Sequence, residues 1–148
     1  MDTFIAADIN YLAVVVAAVS SIVIGSVWFG PLFGKPFSKG MGVETWSEDK
    51  KAAMKSSMPA TYLKQFVMSL IMAFVVAYVV WMYRIALPEL GALMAGLQTG
   101  FWLWIGVAVP VRYGESLWNG QKFRYTAIDL GYWLVLLLTY GVILSLWR

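Results

Sequence analysis

A chain of 148 residues that is 61% hydrophobic and 13% charged is far more apolar than a soluble domain, in which charged residues run near about 25%. It has no Cys and no His, which excludes His-ligated haem, Cys/His zinc centres, thiol redox chemistry, Cys nucleophiles and a Ser-His-Asp triad. The net charge of +3 is weak ground for nucleic-acid binding and reads more simply as lysines facing an anionic membrane leaflet.

The N-terminal run MDTFIAADIN is acidic where a secretory signal needs a basic region, so the apolar stretch behind it reads as a retained span. Asp8 and Asn10 precede that stretch as a helix-capping pair. Ile9–Phe29 is the first span: 21 residues without a charge, which as a helix reach roughly 31 Å across a hydrocarbon core of about 30 Å. Ala13, Ala17, Ser21 and Gly25 recur every fourth position and form a small-residue ridge on one face. The run Gly30-Pro31-Leu32-Phe33-Gly34-Lys35-Pro36 is expected to end the helix.

In the loop over residues 30–61, Thr45-Trp46-Ser47-Glu48 fits a capping box. The pattern predicts a short helix over about 46–57 ahead of Pro59. It either lies on the membrane with Trp46, Ala53 and Met54 towards lipid or the bundle, or stands solvated in the loop. The second span runs from about Tyr62 to Tyr83. The link Arg84–Glu89, with Pro88, is short enough to make the second and third spans antiparallel neighbours. The third span, about Leu90–Val111, carries a second ridge at Ala92, Gly96 and Gly100, and Pro110 should loosen it one turn back, near Gly106. The third connection holds Gly114 and the turn pair Asn119-Gly120, and the fourth span runs from about Tyr125 to Trp147. The two ridges predict tight packing between spans one and three, or between identical spans of neighbouring subunits.

Orientation follows from Lys and Arg. Lys35, Lys39, Lys50, Lys51, Lys55, Lys64, Arg112, Lys122 and Arg124 lie on one side, against Arg84 and Arg148 on the other. The excess predicts cytoplasmic first and third loops with both termini outside. Phe4, Tyr11, Trp81, Tyr83 and Trp147 on one side, and Trp28, Phe29 and Trp118 on the other, read as interfacial belts.

Three intramembrane polar residues are the candidates for function: Asp129, Arg112 and Gln98. Asp129 lies about a turn inside the fourth span, where a charge is disfavoured by about 2.5–3.5 kcal/mol at the centre and less near the interface. Arg112, closing span three on the same side, is its natural partner, with Lys122, Arg124 and Lys35 as others in reach. The pair either fixes how spans three and four pack or forms a cation or proton site at a cytoplasmic vestibule. Gln98 has an amide that one helix cannot satisfy, so it faces the bundle or an oligomer axis. Ser20, Ser21, Ser69 and Thr139 can bond their own helix backbone. Tyr132-Trp133 read as packing aromatics.

Ile9-Asn10-Tyr11-Leu12-Ala13-Val14, Trp28-Phe29-Gly30-Pro31-Leu32-Phe33-Gly34-Lys35-Pro36 and Gly131-Tyr132-Trp133-Leu134, in that order along nearly the whole chain, resemble the family known as domain of unknown function 1761. The resemblance implies a small four-span membrane protein, mostly bacterial, and implies no activity. Members resembling this chain often carry Asn where Asp129 stands, which points to a polar rather than an obligatorily charged position.

The expected fold is thus all-α, a single integral-membrane four-helix bundle over 1–148 with a short interfacial helix in its first loop. The expected function is that of a non-enzymatic structural or accessory subunit of the inner membrane. It would associate through helix packing into a homo-oligomer or larger complex, with no metal, cofactor or nucleic acid. The alternative is a homo-oligomeric ion or small-solute channel or transporter using Asp129, Arg112 and Gln98. A membrane enzyme ranks last, because the carboxylates form no paired acid–base spacing. The charge count yields a direct expectation: a reporter fused after Arg148 is active only outside the cytoplasm, and cytoplasmic activity would reverse the topology.

Overall fold

Asn10 starts the first helix, its side-chain oxygen accepting from the backbone N–H of Leu12 at 3.0 Å and of Ala13 at 3.1 Å. The computed structural model describes residues 7–147, so Phe4 and Arg148, counted above for the belt and the charge balance, lie outside the described residues. Helix α1 spans Tyr11–Val27 and does not stop at the Gly-Pro run. It widens into a π turn over Trp28–Leu32 that takes Pro31 inside it. The longer hydrogen-bonded loop closes from the Phe33 N–H to the Trp28 carbonyl at 2.8 Å, five residues back, so Pro31 is bypassed. The chain then breaks at Phe33 (φ −124°, ψ 12°) and turns into the short helix α2, Gly34–Gly40.

Helix α3 corrects the reading of the first loop. It is one helix of 39 residues, Glu48–Ala86, so the short helix expected over 46–57 and the span expected from Tyr62 are continuous through Pro59. Ser47, not Thr45, is the cap, accepting from the Lys50 N–H at 3.2 Å, while Thr45 donates to the Gly42 carbonyl instead. Hydroxyls crowd the proline: Ser56, Ser57 and Thr61 donate to the carbonyls of Ala53, Met54 and Ser57 at 2.9, 2.9 and 3.0 Å. Each bonds its own helix one turn back, and the exposed surroundings leave room for the Pro59 ring. Ala53 and Met54 are exposed rather than packed on the bundle.

After the five-residue link Leu87–Gly91, α4 runs over Ala92–Leu103, a second π turn over Trp104–Ala108, and α5 over Val109–Trp118. The loosening expected before Pro110 is this π turn. The three pieces form a single spanning rod that takes in Gly114, expected in the connection, and only the turn at Asn119–Lys122 separates it from α6, Phe123–Leu146. Gly120 has φ +63°, the left-handed backbone that glycine adopts without strain. Among the described residues, four helices are long and apolar enough to cross a membrane: Tyr11–Leu32, Glu48–Ala86, Ala92–Trp118 and Phe123–Leu146.

The core lies where α1, α3 and α6 meet, around Ala13, Ala17, Ala73, Val80, Leu136 and Tyr140. Helices α1 and α4 stand diagonally across the bundle, separated by α3 and α6. The expected contact between the ridges of spans one and three is therefore absent among the described residues. The α1 ridge faces α3 and α6 instead: Ser21 donates to Ser69 at 2.8 Å, and Gly25 lies under the Tyr132 ring. The α4 ridge faces α6, where Gly96 sits against the Gly141 backbone and Gly100 against the Leu137 carbonyl, while Ala92 is half-buried. Periodicity names the face on which small residues lie, but not the helix that fills the groove they leave.

A Cβ added at Gly96 would overlap the Gly141 carbonyl, whereas one at Gly114 meets nothing within 4 Å. Gly96→Ala should lower the unfolding free energy in detergent by about 1–3 kcal/mol through forced separation of α4 and α6. Gly114→Ala should leave stability unchanged or raised by about 0.5–1 kcal/mol. Chemical unfolding followed by circular dichroism reads both.

Candidate functional site

The lysine-rich end of the bundle is built around one segment of α6, Ile128-Asp129-Leu130. Asp129 is six residues into its helix and Arg112 six residues from the end of α5, so both lie roughly 9 Å in from the same face. The equal depth brings them together: Arg112 Nε donates to Asp129 Oδ2 at 2.7 Å. Its Nη1 donates to Glu115 Oε2, also at 2.7 Å. The Asp129 side chain is 12% exposed and that of Arg112 36%, so the pair is sheltered on one member and reaches the surface on the other. Asp129 is the one charged residue buried among the described residues. Lys35, Lys122 and Arg124, the other cations considered for it, lie exposed, and Arg124 instead donates to the Tyr125 hydroxyl at 2.7 Å.

On either side of Asp129, α6 accepts a second kind of tie. Trp28 opens the first π turn, and its indole Nε1 donates to the Ile128 carbonyl at 3.0 Å. Trp104 opens the second, and its Nε1 donates to the Leu130 carbonyl at 2.9 Å. A half-buried indole N–H in lipid surroundings needs an acceptor, and a helix carbonyl has a spare lone pair to give. The Trp28 ring also lies over Gly131, where a Cβ would approach it to 2.9 Å, and the Phe29 and Tyr132 rings stand 5.0 Å apart. The Trp-Phe-Gly-Pro and Gly-Tyr-Trp pieces of the sequence thus interlock beside Asp129. Reading Trp28 as a member of an interfacial belt missed this, because composition places an aromatic at a depth but does not say where its N–H points. Trp118, at 92% exposed, does stand at the surface.

Gln98 lies near the other end, where its Oε1 accepts from the Tyr83 hydroxyl at 2.6 Å and joins α4 to α3. It is not part of the Asp129 cluster. Close by, Arg84 Nη1 donates to the Ser145 carbonyl at 2.9 Å, tying α3 to the last turn of α6. Ser116 and Thr126 share a short hydrogen bond between α5 and α6.

Two openings flank Arg112 and Asp129. A groove of about 610 Å³ runs between α1, α3 and α6 past Gly25, Phe29, Gln65, Tyr132 and Trp133. A smaller cleft of about 170 Å³ lies against Glu115, Ser116 and Thr126, and Phe37 of α2 borders both.

This fold and its ties define a small α-helical membrane protein with four helices fit to span a bilayer and a half-buried ion pair at one end. The chain belongs to DUF1761, a family of proteins of unknown function, whose pattern matches it over residues 12–145. No curated protein and no solved structure matches it.

Removing Arg112 strands a sheltered carboxylate, whereas Asp129→Asn keeps an oxygen for Arg112 Nε. Arg112→Ala should therefore destabilise by about 1–3 kcal/mol, less than the roughly 3–5 kcal/mol of a fully buried pair because Arg112 is partly solvated. Asp129→Asn should be milder, and the double variant should recover part of the Arg112→Ala loss. A double-mutant cycle on unfolding in detergent measures the coupling, and strict additivity would deny it.

Proposed function

We propose that the protein is a non-enzymatic structural or accessory subunit of the cytoplasmic membrane, both termini outside, which joins a larger complex or copies of itself through helix packing. The observation that carries this reading is the use of the one charge buried among the described residues: Asp129 is held by Arg112. Three further pairs of polar side chains follow the same pattern. Ser21 with Ser69, Tyr83 with Gln98 and Ser116 with Thr126 each link two neighbouring helices. Polar side chains employed as interhelical ties suit a scaffold.

A second reading, a homo-oligomeric ion or small-solute channel or transporter, is favoured by the groove that opens beside Asp129. Flux separates the two. In proteoliposomes, proton and potassium flux should match that of protein-free vesicles. Flux above that level that collapses in Asp129→Asn or Gln98→Leu would establish the transport reading instead. Extraction into native nanodiscs should yield a multimer or a stoichiometric complex, and a monodisperse monomer would overturn the subunit reading.

A further inference from the structure

The groove beside Asp129 exists because α3 diverges from the bundle: from Glu48 onward, the first residue that it buries is Ser69. The opposite wall is a run of contiguous aromatic rings. The Phe29 ring centroid stands 4.6 Å from that of Phe37 and 5.0 Å from that of Tyr132, and Tyr132 stands 6.0 Å from Trp133. All four rings line the groove, together with Asp129 and Arg112. Its volume of about 610 Å³ is that of a small-molecule site, which runs to roughly 300–1,000 Å³.

The ion pair leaves hydrogen-bonding capacity free on both members. Arg112 uses Nε and Nη1, and Asp129 uses Oδ2, so Nη2 and Oδ1 have no hydrogen bond among the described residues. A fitting ligand therefore carries an anionic oxygen for Nη2, a donor cation for Oδ1 a few ångströms away, and an apolar tail for the aromatic wall. A purely anionic amphiphile would meet the Asp129 carboxylate, and a purely cationic one the Arg112 guanidinium. The position agrees with a headgroup, since Arg112 and Asp129 lie roughly 9 Å in from their helix ends and the headgroup layers add about 5–8 Å on each side of the hydrocarbon core.

We propose that this groove holds one zwitterionic phospholipid with a primary ammonium. The phosphodiester sits on Arg112, the ammonium on Asp129 and one acyl chain lies along Phe29, Tyr132 and Trp133. The site goes beyond the subunit reading and does not depend on it.

The test is native mass spectrometry of the whole protein in mild detergent with equimolar phosphatidylethanolamine and phosphatidylglycerol. The wild type should retain one phosphatidylethanolamine over phosphatidylglycerol by about tenfold, the ratio that one hydrogen bond to a charged group supports. Asp129→Asn should bring that ratio close to one. Phe29→Ala, which leaves the ion pair in place, should reduce retention of both lipids, and Thr139→Ala, which is outside the groove, should change neither. Equal or greater retention of phosphatidylglycerol by the wild type overturns the proposal, as does an undiminished preference in Asp129→Asn. If Asp129→Asn fails to fold, Phe29→Ala decides: retention at the wild-type level overturns the proposal.

Discussion

The lysine-rich end of this bundle depends on what three consecutive residues of α6 accept. The carbonyls of Ile128 and Leu130 take indole protons from Trp28 and Trp104, and the carboxylate between them takes the Arg112 guanidinium. Within a bilayer, a polar group that leaves its helix must find its partner inside the protein. Here the partners come from α1 and from the α4–α5 rod, so one short stretch of α6 sets the relative rotation of three of the four spans. Both tryptophans open π turns. A π turn inserts an extra residue into the helical circuit and re-aims the side chains around it, which is how each indole comes to face α6.

The rest of the bundle is held by a different means. Around Gly96, Gly100 and Gly141, backbone lies on backbone, and dispersion between main chains replaces side-chain interdigitation. The glycine contact permits a close approach but is indifferent to small axial slips. The hydrogen bonds of Tyr83 with Gln98 and of Arg84 with the Ser145 carbonyl remove that freedom at the same end. Close packing sets the distance and polar ties set the register.

Much of this was legible in the residues themselves. Uninterrupted apolar runs gave the four spans, because lipid permits few alternatives to a helix, and Asn10 announced the first helix by its type and place. Arg112 and Asp129 could be paired from equal depth at one face. Local rules give way where a longer-range option exists. Pro31 and Pro59 are helix breakers by rule, yet a π turn absorbs the first and neighbouring hydroxyls accompany the second. The ridges of α1 and α4 were visible, but a pattern on one helix carries no information about which neighbour occupies it. Trp28 was hidden for a related reason: an indole at an interface is ordinary, and only the folded chain reveals that its N–H reaches across to Ile128.

The unbroken course of α3 has a mechanical consequence. Its 39 residues make a rod of roughly 58 Å, about twice the thickness of the hydrocarbon core. The rod is pinned by Ser69 against Ser21 and by the packing that follows, while the 21 residues before Ser69 stand clear. Pivoting it there by about 5° would carry the far tip through roughly 3 Å, given an arm of about 30 Å. Tyr62 and Gln65, on the near part of the same arm, would swing with it, so a load at the start of α3 that bends the helix at Ser69 alters the width of the groove.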